Sequence, residues 1–257
     1  MRRIRVIPVL LLHNRGLVKS VKFRNYKYVG DPINAVKIFN EKEVDEICIL
    51  DITATRQKKQ PDIEHLSEIV SEAFMPMSYG GGINSLEQAE TLFYNGVEKV
   101  TLNYAATQNK KLIGEIATRY GSQSVVASID YKTNWMGRTS VYTLNGTEDI
   151  KMSAIDKAKE VQDYGVGEII LNSIDRDGTY QGYDLPMIEK ISSAVSIPVV
   201  ACGGASNVED FKKAVDAGAS AVAAGSMFVF QGRHRAVLIS YPKKEDLDFK
   251  LFSKKSL

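Results

Sequence analysis

The sequence predicts an α/β fold, a single (β/α)8 TIM barrel with an internal two-fold half-barrel repeat spanning residues 1–257. Three observations predict it. Eight short apolar runs alternate with helical stretches, and the runs are apolar nearly throughout, as parallel strands covered on both faces are. The length of 257 residues sits near the ~250 of such barrels. The chain also repeats itself. Val44-Asp45-Glu46-Ile47 and Val166-Gly167-Glu168-Ile169 stand at an offset of 122 (166 − 44), and the same offset carries Pro76 to Pro198, Gly81-Gly82 to Gly203-Gly204, Glu87 to Glu209 and Gly96 to Gly218. Solenoid units run to ~20–50 residues, whereas this repeat is half the chain, and two half-barrels of βαβα type closing together account for it.

The first strand covers residues 4–12, and a long loop follows over 14–32, where Gly16 and Gly30 break any period. Asp31-Pro32 starts the first helix, since Asp caps and Pro fits the first turn. The second strand covers 46–51, its loop 53–60, and the next helix 61–73. The third strand, 75–79, ends in Gly80-Gly81-Gly82, with Asn84 or Ser85 capping the helix after it. The fourth strand, 99–103, leads into a helix reaching residue 120. After the fifth strand, 124–131, residues 132–146 resemble a β-hairpin insertion, because Thr139-Ser140-Val141-Tyr142-Thr143 alternates polar and apolar. A helix over 152–164 precedes the sixth strand, 168–172, and a further helix begins near Asp184-Leu185-Pro186. The seventh strand, 198–202, ends in Gly203-Gly204, and Ser206 or Asn207 caps a helix over 208–217. The eighth strand, 219–224, ends in Gly225-Ser226 before a final helix, and no linker divides the chain.

Composition narrows the function classes. A net charge of +2 gives no reason to expect nucleic acid or an anionic membrane as partner. Arg2, Arg3, Lys254 and Lys255 read as solvated termini. No apolar run reaches the ~18 residues of a membrane span, and the opening run is interrupted by Pro8, ends at His13-Asn14-Arg15 and lacks a small-residue cleavage site. Cys48 and Cys202 sit in strand-like runs without metal spacing, which fits reduced thiols in a cytoplasmic protein. His13, His65 and His234 have no companions at ligand spacing, so neither a metal nor a cofactor is expected.

In such barrels function sits at the C-terminal ends of the strands. There the sixth strand enters Ser173-Ile174-Asp175-Arg176-Asp177-Gly178-Thr179, an acidic glycine-containing loop. Gly82 and Gly204 end the third and seventh strands, and Asn103 and Gly225-Ser226 end the fourth and eighth. Glycine lets backbone N–H groups approach an anion, and a helix start adds favourable partial charge. One Gly-Gly alone is usually a turn. Two at equivalent strand ends predict two phosphate cradles on opposite sides of one mouth, hence a long phosphorylated small-molecule substrate. Asp51, Asp130, Asp175 and Asp177 lie between the cradles as candidate acids and bases. The alternative for Asp51, Asp175 and Asp177 is that they hold their own loops by bonding backbone N–H groups, with the two readings evenly matched for Asp51, whereas Asp130 at a strand end points to function. Lys19 in the long loop is placed to close over a phosphate or is simply solvated. At the opposite end, Arg5, Glu46, Lys99 and Glu168 stand at or near strand starts and form either ordinary exposed charge or a ring across the barrel floor able to gate a small polar molecule.

These residues together resemble the HisF family, the cyclase subunit of imidazole glycerol phosphate synthase. The resemblance runs from Arg5 to about Phe230 and rests on Asp51-Ile52-Thr53-Ala54, Gly80-Gly81-Gly82-Ile83, the Ser173–Thr179 run, Gly182-Tyr183-Asp184 and Gly203-Gly204-Ala205. It implies a lyase-type barrel subunit paired as a heterodimer with a HisH-like glutaminase, whose ammonia crosses a charged gate in the floor and meets a bisphosphate substrate at the upper face. By that resemblance the gate falls on Arg5, Glu46, Lys99 and Glu168. Phosphate binding falls on Gly82, Asn103, Gly178, Gly204 and Ser226, with Lys19 in the mobile loop, and one catalytic aspartate falls on Asp130.

The sequence departs from the family where a second aspartate should end the first strand. Ile7-Pro8-Val9-Leu10-Leu11-Leu12 puts Leu11 there, Tyr104 replaces a small residue after Asn103, and Asn172 and Cys202 replace small hydroxyl residues. Leucine neither takes up a proton nor hydrogen-bonds, and a lost acid/base group costs ~10²–10⁴-fold in rate. A kept gate with an altered centre resembles the HisF-like branch that works with a HisH-like glutaminase and a sugar amidotransferase to form acetamidino groups on surface-polysaccharide (lipopolysaccharide) sugars, and the expectation leads with that function. The alternatives are the histidine-biosynthesis cyclase itself and a non-catalytic scaffold that activates the glutaminase.

Overall fold

The backbone begins with β1 (Arg5–His13), whose end is carried over into an antiparallel hairpin of β2 (Gly16–Val21) and β3 (Arg24–Gly30). Then follow α1 (Pro32–Glu41), β4 (Ile47–Asp51), α2 (Ile63–Val70), β5 (Met77–Gly80), α3 (Leu86–Tyr94), β6 (Lys99–Leu102), the single turn α4 (Ala105–Gln108), α5 (Lys111–Tyr120) and β7 (Val125–Thr133). After the insertion strands β8 (Thr139–Thr143) and β9 (Glu148–Asp149) come α6 (Ala154–Asp163), β10 (Glu168–Ser173), α7 (Leu185–Ala194), β11 (Val199–Cys202), α8 (Val208–Asp216) and β12 (Ala221–Ala224). The chain finishes with α9 (Ser226–Val229), a small hairpin of β13 (Phe230–Gln231) and β14 (Ala236–Val237), and α10 (Lys244–Leu247). The structure is a computed structural model that describes residues 4–232 and 234–252, so Arg2, Arg3, Lys254 and Lys255 lie outside the described residues.

Eight of these strands close on themselves in the order β1, β4, β5, β6, β7, β10, β11, β12 and back to β1, every pair parallel. This is the expected (β/α)8 barrel. The offset of 122 residues maps Lys99, the first residue of β6, onto Ala221, the first of β12, so equivalent strands of the two halves stand four places apart around the ring. Side chains alternate along each strand. One set, including Ile7, Val9, Cys48, Val126, Ile170, Val200, Ala221 and Ala223, packs as a separate cluster filling the barrel. The other set joins the helices in a larger outer core with Val6, Ile47, Phe39, Ile69, Phe211 and Phe228.

Local chemistry sets the helix starts. The Asp31 side chain accepts from Asn34 N, and Pro32 fills the first turn. Of the alternative caps, Ser85 and not Asn84 accepts from Gln88 N, and Asn207 and not Ser206 accepts from Asp210 N. Asp184 caps α7 by accepting from Met187 N. None of the helices is long and apolar enough among the described residues to cross a membrane.

Two expectations are corrected. The stretch over 14–32 is not a loop but the β2–β3 hairpin. Its turn, Lys22-Phe23, takes φ of 53° and 60° without the Gly or Asn that announces such turns, so nothing in the sequence marks it. The helix expected from residue 104 to 120 is two, because Asn109 leaves the helical region at φ −135°, ψ 71° between α4 and α5. The 132–146 insertion does form a hairpin, with β7 running on to Thr133 and pairing antiparallel to β8.

Candidate functional site

The floor comes first, because β1, β6 and β10 begin on Arg5, Lys99 and Glu168, and Glu46 immediately precedes β4. Their side chains converge in a closed alternating ring. Lys99 Nζ donates to Glu46 Oε1 and Oε2 at 2.9 and 2.8 Å and to Glu168 Oε2 at 3.1 Å. Arg5 donates to Glu46 and to both oxygens of Glu168. Each cation thus spans both carboxylates. Glu46 and Glu168 are buried, whereas the Arg5 and Lys99 side chains keep 29% and 18% exposure. Burial opposes the Arg5 charge, but its bonds and attraction to Glu168 and Glu46 outweigh that and hold its pKa above the ordinary value. Burial likewise pushes Glu168 up, yet Arg5 and Lys99 overcome it and leave the carboxyl below its usual range.

At the other end a cavity of about 320 Å³ opens between the strand ends. Lys19, Asp51, Gly82, Asn103, Asp130, Asp177, Gly178, Gly204, Gly225 and Ser226 all line it, together with Leu11, Leu50, Tyr104, Asn172 and Cys202. It reaches down past Val9, Cys48, Thr101 and Ile170 into the barrel. The two glycine cradles sit on opposite walls, since β5 and β11, like β6 and β12, are four strands apart. Gly204 is held at φ 107°, and a Cβ there would lie 2.3 Å from the Gly182 carbonyl oxygen. Only glycine lets these two backbone segments approach.

Asp130 lies in this mouth beneath three side-chain donors. Asn103 Nδ2 donates to its Oδ2 at 3.2 Å, while Asn172 Nδ2 and Ser128 Oγ reach its Oδ1 at 3.1 and 3.3 Å. Burial pushes its pKa up to about 7; the Asn172 and Ser128 bonds oppose the rise and the charge of Asp177 adds to it. The carboxyl is therefore poised to give or take a proton near neutrality. Lys19 is not a solvated loop residue: it is buried on β2, and its Nζ lies 1.7 Å from where a Cβ of Gly225 would stand, over the second cradle. Burial pulls its pKa down and pushes Asp177 up, and the attraction between the two opposes both shifts. Asp177 also accepts from Ser20 Oγ at 3.3 Å, and its carbonyl takes Lys22 N at 2.9 Å, so the hairpin is tied to the β10 loop.

Two of the carboxylates accept from backbone N–H groups, Asp51 within its own loop and Asp175 across to β7. Asp51 Oδ1 accepts from Thr53 N, Thr53 Oγ1 and Ala54 N at 2.8, 2.7 and 3.0 Å. Asp175 lies outside the cavity lining, and its Oδ2 accepts from Thr133 N at 2.8 Å, which fastens the β7 extension. Sequence reasoning missed Ser20 and Ser128; Ser128 could have been found from its place two residues before Asp130 on the same face of one strand.

The sequence pattern of the family described as histidine biosynthesis protein matches residues 5–235. Among similar proteins, a Pseudomonas aeruginosa protein provisionally named imidazole glycerol phosphate synthase subunit hisF2 is 55% identical over 249 residues, covering 96% of this chain and 99% of the relative. A Leptospira interrogans protein, provisionally named subunit HisF of the same synthase, is 48% identical, covering 94% of this chain and 96% of the relative. The imidazole glycerol phosphate synthase subunit HisF of Pyrobaculum aerophilum is 41% identical, covering 96% of this chain and 98% of that protein. With the barrel and these matches together, the chain belongs to the HisF family of histidine biosynthesis proteins.

Proposed function

We propose that this chain is the ammonia-accepting barrel subunit of a glutamine-dependent synthase of the imidazole glycerol phosphate type. A glutaminase subunit sits under the floor, and the ammonia it releases passes the Arg5–Glu46–Lys99–Glu168 ring and rises through the barrel. It reacts beside Asp130 with a substrate whose phosphates rest in the two cradles. The closed ring is the observation that carries this reading. Four charged groups buried together are costly unless mutually satisfied, and here they stand where a molecule would enter the barrel. Lys99, a point charge on a flexible stem, is the member able to swing aside. Neutral ammonia is favoured over ammonium in the apolar section of Val9, Val126, Ile170 and Val200.

Of the acceptors weighed from sequence, the relatives' names favour the histidine-pathway bisphosphate over a polysaccharide sugar. One specific observation favours the sugar reading and its amidotransferase. Leu11 lines the cavity on the wall opposite Asp130, so no second carboxylate faces the first from there. Ammonium-supported turnover of the ribulosyl bisphosphate substrate of imidazole glycerol phosphate synthase decides between them. The histidine reading expects cyclase product from the unaltered chain, with Leu11→Asp changing the rate little. No product from the unaltered chain, and a gain of ~10²-fold or more on Leu11→Asp, would refute it in favour of another acceptor.

A further inference from the structure

The proposed function rests the chemistry on Asp130, with Leu11 on the wall opposite it, and the immediate surroundings of Asp130 differ on their two sides. The parallel pairing of β7 with β10 sets Asn172 directly opposite Asp130, so both side chains leave the barrel wall on the same face. Asn103 is locked: its Nδ2 donates to the Ser128 carbonyl at 3.0 Å as well as to Asp130 at 3.2 Å. Asn172 is not. Its Nδ2 donates to Asp130 at 3.1 Å, while its Oδ1 is buried with no hydrogen-bond partner, beside Gly203. A buried acceptor left unpaired is unfavourable and asks for a reason. The two ends of a carboxamide have nearly the same shape, one donating and one accepting. Against an ionised Asp130 only the N–H end fits. Against a protonated Asp130 the amide turned end for end accepts the acid proton through Oδ1, and its N–H end takes the place beside Gly203.

We propose that Asn172 is the positioning residue for the proton on Asp130, its carboxamide turning over as that proton arrives and leaves, so that one carboxylate carries both the acid and the base step at the mouth. Both states conserve protons: the one Asp130 accepts from the reacting nitrogen is the one it later returns. The other groups facing Asp130 do not offer this. Asn103 is anchored from β6, and Ser128 Oγ, the longest of the contacts at 3.3 Å, stays in place in every Asn172 variant and so is common to all the midpoints compared. Asp177 from the β10 loop lies within the field of the Lys19 charge of β2, and burial pushes the Cys202 thiol of β11 up so that it stays protonated.

Titration of Asp130 by carboxyl carbon NMR in the full chain, with Asp130→Asn identifying the signal, tests this. The midpoint in the unaltered protein is expected at about 7. Asn172→Leu removes the donor to the ionised form and should raise the midpoint by about 1–2 pH units. Asn172→Ser, whose hydroxyl donates or accepts by rotating, should restore it to within about half a unit. Asn172→Ala stands in for the leucine variant if circular dichroism shows that variant unfolded. A midpoint unmoved by loss of the amide, or moved as far by serine as by leucine or alanine, overturns the inference. The titration is independent of the proposed function: absence of ammonium-supported turnover refutes that function, while the midpoints still decide the role of Asn172. Where turnover is present, the acid limb of its pH profile should move with the midpoint.

Discussion

Replacing Lys99 by methionine keeps the stem and deletes the ammonium. Lys99 Nζ makes contacts of 2.8, 2.9 and 3.1 Å to Glu46 and Glu168, so the variant leaves two carboxylates, only 4% and 6% exposed, sharing Arg5 alone. Taking one partner from a buried ion pair costs ~3–5 kcal/mol. Because Arg5 remains, the expected loss at pH 7 lies at the lower end, about 3 kcal/mol. The pH dependence supplies a second signature. Glu168 is held below its usual range because Arg5 and Lys99 outweigh the upward push of burial. A depressed carboxylate gives stability that is present above its unfolded pKa and lost as pH falls through its folded pKa. Without Lys99 the folded pKa rises, so the gap between the two proteins should be widest near neutrality, narrow as the pH falls through the raised pKa of the variant, and close only once the pH has fallen through the depressed pKa of the unaltered chain. Urea unfolding followed by circular dichroism at steps from pH 7 down through the acid range, with unchanged m values, measures this. A loss at pH 7 within about 0.5 kcal/mol, as for an ordinary surface substitution, would refute the claim that Lys99 holds the ring together.

Other consequences concern the mouth. Gly204→Ala combines φ of 107° with a Cβ 2.3 Å from the Gly182 carbonyl oxygen, so it should lose about 2–4 kcal/mol in the same unfolding assay. Gly225→Ala meets chiefly the flexible end of Lys19, with the Val9 carbonyl oxygen farther off at 3.1 Å. It should leave stability within about 1 kcal/mol while weakening inorganic phosphate binding by calorimetry about ten-fold or more, as expected for displacement of a charge-assisted contact. Asp130 is raised from 3.8 to about 7 chiefly by burial, so its ionisation destabilises the fold: the stability it allows is full below the unfolded pKa and is lost as pH rises through about 7. Asp130→Asn should therefore be more stable than the unaltered chain at pH 8 by about 1 kcal/mol or more, and not so at pH 4.

Much of the barrel was legible because its physics is written in local patterns. Apolar runs, Asp and Ser caps and the offset of 122 residues give strands, helix starts and the two-fold repeat. The floor ring was legible as four charges at strand starts, but its alternation required the closed barrel, which brings β1, β4, β6 and β10 to one axis. What escaped depends on unusual backbone or long-range contact. The Lys22-Phe23 turn uses left-handed φ without glycine, so the hairpin read as a loop, and with it Lys19 read as a loop residue rather than a buried one. Asp175 carries the same local signal as Asp177, yet one bonds Thr133 N and the other faces Lys19, a difference set by which neighbour the turn meets. Asn172 was legible as a departure in residue size. Its donation to Asp130 follows only from the β7–β10 register.

Passage of ammonia through the floor is tested most directly by isotope partition. The complex with its glutaminase is supplied with amide-labelled 15N-glutamine in a bath of 14N-ammonium, and the label is read in the aminated product by mass spectrometry. The unaltered chain should draw its nitrogen predominantly from glutamine, and Lys99→Met or Arg5→Ala should shift the product toward the bath while leaving ammonium-supported turnover in place. Product carrying the label in the same proportion with an intact and a broken ring would contradict entry through Arg5, Glu46, Lys99 and Glu168.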